Sequence, residues 1–270
     1  MSAPRKRTLQ PLATMPDSAR RAIRGVLTDI DDTLSTDGRL TALAYEALER
    51  LRSAGRLVIP ITGRPAGWCD HIARMWPVDA VVGENGAFYM RFDVTQRKLV
   101  RRFVASDAER AAMRERLAAI GATILTRVPG SALASDQHYR ETDLAIDYCE
   151  DVRPLDASAV AQIVALMQAE GMTAKVSSIH VNGWFGTYDK LAMTRVLFDE
   201  VFGERLEAVR DAVLFAGDSP NDAPMFAYFP CAVGVANLRR FLPQILTPPA
   251  YIATGEAGTG FTEIADLLLA

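Results

Sequence analysis

The chain has 270 residues, 49% hydrophobic and 23% charged, which is the make-up of a globular protein with a real apolar core and not of a disordered or fibrous one. A formal net charge of -3 creates no field for gathering nucleic acid, and no apolar run is long enough to span a bilayer. Cys69, Cys149 and Cys231 are odd in number and far apart, which suits buried thiols in a reducing compartment better than a disulfide framework or a zinc site.

Residues 1–19 carry Pro4, Pro11 and Pro16 amid mixed polarity and read as a poorly ordered lead-in. Arg5, Lys6 and Arg7 are followed by no apolar stretch, so a secretory signal is not expected and a cytoplasmic protein is. Short continuous apolar runs then begin: Gly25 to Asp29, Leu57 to Thr62 and Ala80 to Gly83, with two more late in the chain, Val213 to Asp218 and Cys231 to Val235. Unbroken apolarity implies strands covered on both faces. Between the first two runs, Leu43, Ala44, Ala47, Leu48 and Leu51 fall at helical spacing, with Gly55 as the stop. Strand, helix, strand is the unit of a doubly wound, Rossmann-like parallel sheet, so the expected fold class is α/β.

The middle of the chain has a different texture. Asp143 to Tyr148 and Ser177 to Asn182 alternate apolar with polar, as strands with one wet face do. Helices are expected from about Asp107 to Ile120 and from Asp156 to Glu170, ended by Gly121 and Gly171. This reads as an α+β unit over 87–186, inserted into a parallel-sheet domain made of 20–86 and 187–270.

The polar residues that matter fall at strand ends. Asp29 closes the first strand and Asp31 follows, Thr62-Gly63-Arg64 closes the second, and the late strand runs into Gly217-Asp218-Ser219-Pro220-Asn221-Asp222. Ligands of an open parallel sheet bind outside the carboxyl ends of its strands. Four acids gathered there repel one another unless a hard cation such as magnesium neutralises them. Taken alone, each piece has an ordinary reading: Asp29 and Asp31 as helix caps, Thr62-Gly63-Arg64 as a turn, and Lys190 as a solvated lysine at the head of a helix. Their occurrence together and in order is what points to chemistry.

In that order the segments resemble the four motifs of the haloacid dehalogenase superfamily of phosphohydrolases: Asp29-Ile30-Asp31-Asp32-Thr33, then Thr62, then Lys190, then Gly217 to Asp222. Glu84-Asn85-Gly86-Ala87 is similar to a stretch common in one subclass. The resemblance implies an Asp29 nucleophile that forms an aspartyl-phosphate and an Asp31 acid/base, with Thr62 and Lys190 on the phosphoryl oxygens. It implies magnesium held by Asp29, Asp218 and the backbone carbonyl of Asp31, with Asp222 in support. Asp32 and Leu191 stand where many members have glycine, though neither position supplies a catalytic group.

Thr33 and Thr62 leave room for one helix and one strand only, whereas about a hundred residues separate Thr62 from Lys190, so the inserted unit is a cap between the second and third motifs. Such a cap resembles that of sucrose-phosphate, trehalose-phosphate and Cof-like sugar phosphatases. The expected substrate is therefore a small phosphate ester, a sugar phosphate by analogy, with neither nucleic acid nor membrane as partner. Nothing in the sequence specifies a subunit number. Candidate substrate-binding residues are Gly63, Arg64, Asn85 and Asn221, with loop support an alternative for Arg64 and Asn221. To these are added Ser178, His180 and Asn182, read as one polar strand face. His180 could equally be a structural histidine, and Trp184 a packing aromatic instead of a sugar platform. A phosphomutase is the nearest rival; a receiver-like switch or a non-catalytic phospho-ligand-binding protein is the rival from another class.

Overall fold

The computed structural model describes residues 8–270. In chain order the first half comprises β1 (Gln10–Pro11), α1 (Asp17–Ala22), β2 (Gly25–Thr28), α2 (Ala42–Ser53), β3 (Leu57–Pro60), α3 (Ala66–Met75), β4 (Val81–Gly83), β5 (Phe88–Asp93), β6 (Lys98–Phe103) and α4 (Asp107–Arg127). There follow β7 (Ala132–Leu133), β8 (Asp143–Asp147), α5 (Ala157–Ala169), β9 (Thr173–Val176), β10 (His180–Trp184) and α6 (Lys190–Leu197). The chain ends with α7 (Leu206–Val209), β11 (Val213–Gly217), α8 (Ala223–Tyr228), β12 (Cys231–Gly234), β13 (Tyr251–Ile252) and α9 (Ala257–Leu269). Among the described residues no helix is long and apolar enough to cross a membrane.

The main sheet has the order β1-β13-β12-β11-β2-β3 with every pairing parallel. Its continuous apolar strands are explained by cover on both faces. Val26, Val58, Leu214 and Val233 meet Leu48 and Leu51 of α2 and Phe261 and Ile264 of α9 on one side. Leu27, Ile59, Phe215 and Ala232 meet Leu197, Phe226 and Phe229 on the other. Burying apolar surface on both faces, at about 25 cal/mol per Å², holds this sheet against its helices.

Four expectations need correcting. The lead-in is ordered where it is described: Gln10 N–H donates to Ala250 O, β1 joins the sheet edge, and Leu12 and Met15 are buried. Residues 1–7, with the Arg5-Lys6-Arg7 cluster, lie outside the described residues. The inserted unit does not begin packing as a separate body at 87, because β5 and β6 are hydrogen-bonded onto β4, and Phe88, Met90 and Tyr89 enter the two core clusters of the main sheet. A third apolar cluster, with Leu117, Ile124, Leu144, Ile146, Ile163 and Val181, belongs to α4 through β10. The helix at Asp107 does not stop at Gly121 but runs to Arg127: a side chain at 121 would meet Leu133 and Leu144 at 3.2 Å, so glycine there brings the helix onto the sheet it covers. Finally, Ser177 to Ile179 form the turn of the β9–β10 hairpin, so Ser178 is not on the strand with His180 and Asn182. The second sheet, β7-β8-β10-β9, is antiparallel throughout.

The two sheets are tied by a buried carboxylate. Glu84, left-handed at φ 41° directly after β4, accepts from Ala66 N–H at 2.9 Å on the main-sheet side. From the inserted unit it accepts Glu141 N–H at 2.9 Å, Thr142 N–H at 2.7 Å and the Thr142 hydroxyl. Burial and nearby Asp143 raise its carboxyl to about 7, against the pull of these donors and of Arg140. Glu84→Gln keeps the shape but turns an NH2 toward N–H donors. Each unsatisfied donor costs about 1–3 kcal/mol, so urea denaturation should show a loss of at least about 1 kcal/mol. An unchanged midpoint would show that the carboxylate does not join the two parts.

Candidate active site

Because β2, β3, β11 and β12 are parallel, their carboxyl ends share one edge, and each end delivers a polar side chain to it. Asp29 follows β2; its N–H donates to Ala216 O of β11 at 2.9 Å, which fixes the carboxylate beside the neighbouring strand. Thr62 follows β3, Asp218 and Asp222 follow β11, and Asn237 follows β12. Lys190 opens α6, whose N-cap Asp189 accepts from Ala192 N–H at 2.7 Å. Gly86 makes that start possible. At φ +105° its missing Cβ would lie 2.1 Å from Asp189 O, so only glycine allows the turn after β4 to press against the head of α6.

Lys190 Nζ donates at 2.8 Å to both Asp29 Oδ1 and Asp222 Oδ1. Asp222 Oδ2 accepts from Asp218 N–H at 3.2 Å. Oxygens of Asp29, Asp218 and Asp222 lie within 4.8 Å of one another, and all three residues are buried. Among the described residues, three carboxylates thus face a single ammonium. Burial, with Lys190 opposing and Asp222 and Asp31 adding, pushes Asp29 up to about 7. Burial, Asp222 and Asp29 push Asp218 well above the carboxylate range. Burial alone would lower Lys190, but Asp222 and then Asp29 hold its ammonium above the usual value. Hard oxygen donors at this spacing, short of positive charge, are the donor set that takes a small divalent cation. Thr33 and Asn237 steady Asp218, at 3.5 and 3.3 Å.

Asp31 turns away from this cluster. Its Oδ1 accepts from Arg64 Nε at 2.9 Å and Nη2 at 2.8 Å, and its Oδ2 lies 3.1 Å from Nε. Asp32 occupies the left-handed region at φ 56°, the conformation for which glycine is the easy choice. Thr62 is buried and its hydroxyl accepts from Arg64 N–H at 3.0 Å, which leaves the hydroxyl its own proton to give.

Above the acids lies a cavity of about 20 Å³ between the strand ends and the inserted unit. Asp29, Asp31, Gly63, Arg64, Asn85 and Asn221 line it from below; Ser178, His180 and Asn182 line it from above. The Asn85 Nδ2 group is buried without a hydrogen-bond partner among the described residues, a donor awaiting an acceptor. Asn182 Nδ2 donates to Asp143 at 3.1 Å, and His180 Nε2 stands 2.8 Å from Glu150 Oε2. Together with Arg64, His180 holds the Glu150 carboxyl down at about 2. Trp184 is buried and stacked on Tyr188 with ring centres 5.8 Å apart, which makes it a packing residue. Sequence reasoning missed Glu150, Asp136, Arg140, Asp143 and Asn237. Arg140 pairs locally with Asp136 and Asp143, but the contacts that bring these residues to the site are distant in sequence: Arg64 to Asp136 spans 72 residues, Arg64 to Glu150 spans 86 and Arg140 to Gly63 spans 77.

Residues 26–114 match the family model of haloacid dehalogenase-like hydrolases. No curated protein sequence matches the chain. Among solved structures, a HAD/Cof-like hydrolase from Plasmodium vivax is similar at 16% identity with TM-score 0.66, covering 94% of this chain and 98% of that one. The sucrose-phosphatase from Synechocystis, solved with sucrose and phosphate, is similar at 16% identity with TM-score 0.61 over 92% and 98%. The C-terminal domain of the Candida albicans (C. albicans) trehalose-6-phosphate phosphatase is similar at 16% identity with TM-score 0.69 over 97% and 98%. At such identities the likeness establishes the fold, a Rossmann-like core with a cap. The family model covers about a third of the chain, and the solved structures show that the whole chain shares their fold.

Proposed function

We propose that the protein is a magnesium-dependent phosphatase that hydrolyses a small phosphate monoester, a sugar phosphate, through an aspartyl-phosphate on Asp29. The observation that carries this reading is the buried group of Asp29, Asp218 and Asp222 around Lys190 at the strand ends. A carboxylate and a phosphate dianion repel, so attack needs positive charge on the phosphoryl oxygens. Magnesium bound at Asp29, Asp218 and the Asp31 carbonyl, with Asp222 in support, would supply that charge.

Lys190 fixes one Asp29 oxygen and brings an ammonium to the edge where the phosphoryl group would lie. Asp29 forms the new O–P bond as the bond from phosphorus to the leaving oxygen breaks, and Asp31 gives that oxygen its proton. Asp31 then takes a proton from water as the water oxygen attacks phosphorus, which restores the Asp29 carboxylate. The Thr62 hydroxyl and the Asn85 amide are donors suited to the phosphoryl oxygens. Ser178, His180 and Asn182 put hydroxyl, imidazole and amide groups over the site, the groups that read a polyhydroxy leaving group. The sucrose- and trehalose-phosphate phosphatases of the same fold support the sugar-phosphate reading.

Exhaustive chelation should abolish release of free phosphate, and added magnesium should restore it; full turnover in chelator would refute the cation requirement. Asp29→Asn should remove both turnover and capture of a fluoroberyllate phosphoryl mimic, since an amide does not attack phosphorus. Turnover retained in that variant would place the nucleophile elsewhere. Asp31→Asn should slow hydrolysis of a sugar phosphate by about 100-fold or more, and that of a nitrophenyl phosphate, whose leaving group needs no proton, by much less in the phosphoryl-transfer step. Equal loss on both in single-turnover measurements would exclude the acid role.

A further inference from the structure

Arg64 was expected to hold substrate or support its loop, and its contacts serve a different purpose. Its side chain is almost wholly buried, and its guanidinium pairs with carboxylates from both sides of the site. Asp31 comes from the strand-end side; from the inserted unit come Asp136, 3.3 Å from Nη1, and Glu150, 3.0 Å from Nη2. The guanidinium also lies 4.4 Å from the centre of the Trp68 ring on α3, which limits where it can swing.

The cavity under these pairs, about 20 Å³, has room for roughly one water, and Asp29, His180 and Asn182 around it are buried, so a phosphate ester does not fit. The inserted unit must move away from the strand ends before substrate enters, and that motion separates Arg64 from Asp136 and Glu150. In the shut arrangement Arg64 also covers Asp31: Nε and Nη2 reach Oδ1 and Nε reaches Oδ2, so both oxygens that would handle the leaving group's proton are engaged.

We infer that Arg64 is a latch: it holds the empty site shut by linking Asp31 to Glu150 and Asp136, and substrate binds in competition with that linkage. The role assigned to Asp31 rests on the phosphatase reading above; the linkage itself does not. A shut population that cannot bind substrate raises the apparent KM as the inverse of the open fraction, so weakening the latch tightens apparent binding. A brace needed only for the shape of the site would do the reverse when damaged.

Glu150→Gln removes one of the two charges that the inserted unit brings to Arg64, keeps the side chain's size and leaves Asp31 untouched. Hydrogen exchange read by mass spectrometry over 61–68 and 177–182, which line the cavity from its two sides, should speed up about tenfold in the ligand-free variant. KM for sucrose 6-phosphate or nitrophenyl phosphate should fall about threefold. Arg64→Lys, which keeps one charge but lacks the fork that reaches three carboxylates, should also speed exchange. Exchange unchanged in both variants, or faster exchange with a raised KM, overturns the latch. If neither ester is turned over at all, exchange still decides the latch, and the phosphatase reading fails separately.

Discussion

Negative charge crowded at one sheet edge is the constraint around which the rest of the molecule is organised. Asp29, Asp218 and Asp222 are each almost fully buried, and one ammonium, Lys190, stands among them. Charges taken out of water cost several kcal/mol each unless they are paired and hydrogen-bonded. The structure answers with Lys190, with the Asp218 N–H, with Thr33 and Asn237, and with raised carboxyl pKa values where these fall short. A fold selected only for stability has no reason to assemble such a group. The same deficit of positive charge is what a cation and a phosphoryl group with its donors would exploit.

Holding the group together requires that five chain segments end in register. The parallel sheet does this by covering both faces with apolar side chains, so that β2, β11 and β12 cannot slide without exposing Leu27, Phe215 or Val233. The backbone then does the fine placement. Asp29 N–H is tied to Ala216 O, and Gly86 lets the turn after β4 press on Asp189, which sets where α6 begins and so where Lys190 projects. Glu84, one turn away, couples this same edge to the inserted unit through Glu141 and Thr142.

What could be read from the sequence follows from how local each signal is. The strand ends were legible because a buried parallel strand announces itself as an apolar run and its last residue is the site; Asp29, Thr62 and Asp218 are found that way. Lys190 needed the order of the other segments to distinguish it from a surface lysine. Residues 88–103 fall inside the bounds that the sequence suggests for the inserted unit, yet hydrogen bonding of β5 to β4 makes that hairpin part of the main body. Ser178 was placed on a strand because alternation does not mark where a hairpin turns. Gly121 has the look of a helix stop in the sequence, but its role is to admit Leu133 and Leu144. Glu150, Asp136 and Arg140 give no signal of a site, because the contacts that join them to Arg64 and Gly63 lie far along the chain.

Those unannounced residues change how the site works as a physical object. Arg140 is buried against Asp136 and Asp143 and donates to Gly63 O at 2.9 Å, so the inserted unit reaches the Thr62–Arg64 turn through backbone as well as through Arg64. Arg64 and Arg140 share Asp136, and Asn182 shares Asp143 with Arg140. The roof of the cavity and the turn beneath it therefore belong to one buried polar network. In a network of shared charges, losing one partner leaves the others under-satisfied, so its members rearrange together and not one at a time. An acidic edge built from strand ends is thus covered by a roof whose attachment is electrostatic. Rigidity keeps Asp29 and Lys190 in place through repeated openings, and polar attachment lets the roof part without exposing either apolar core.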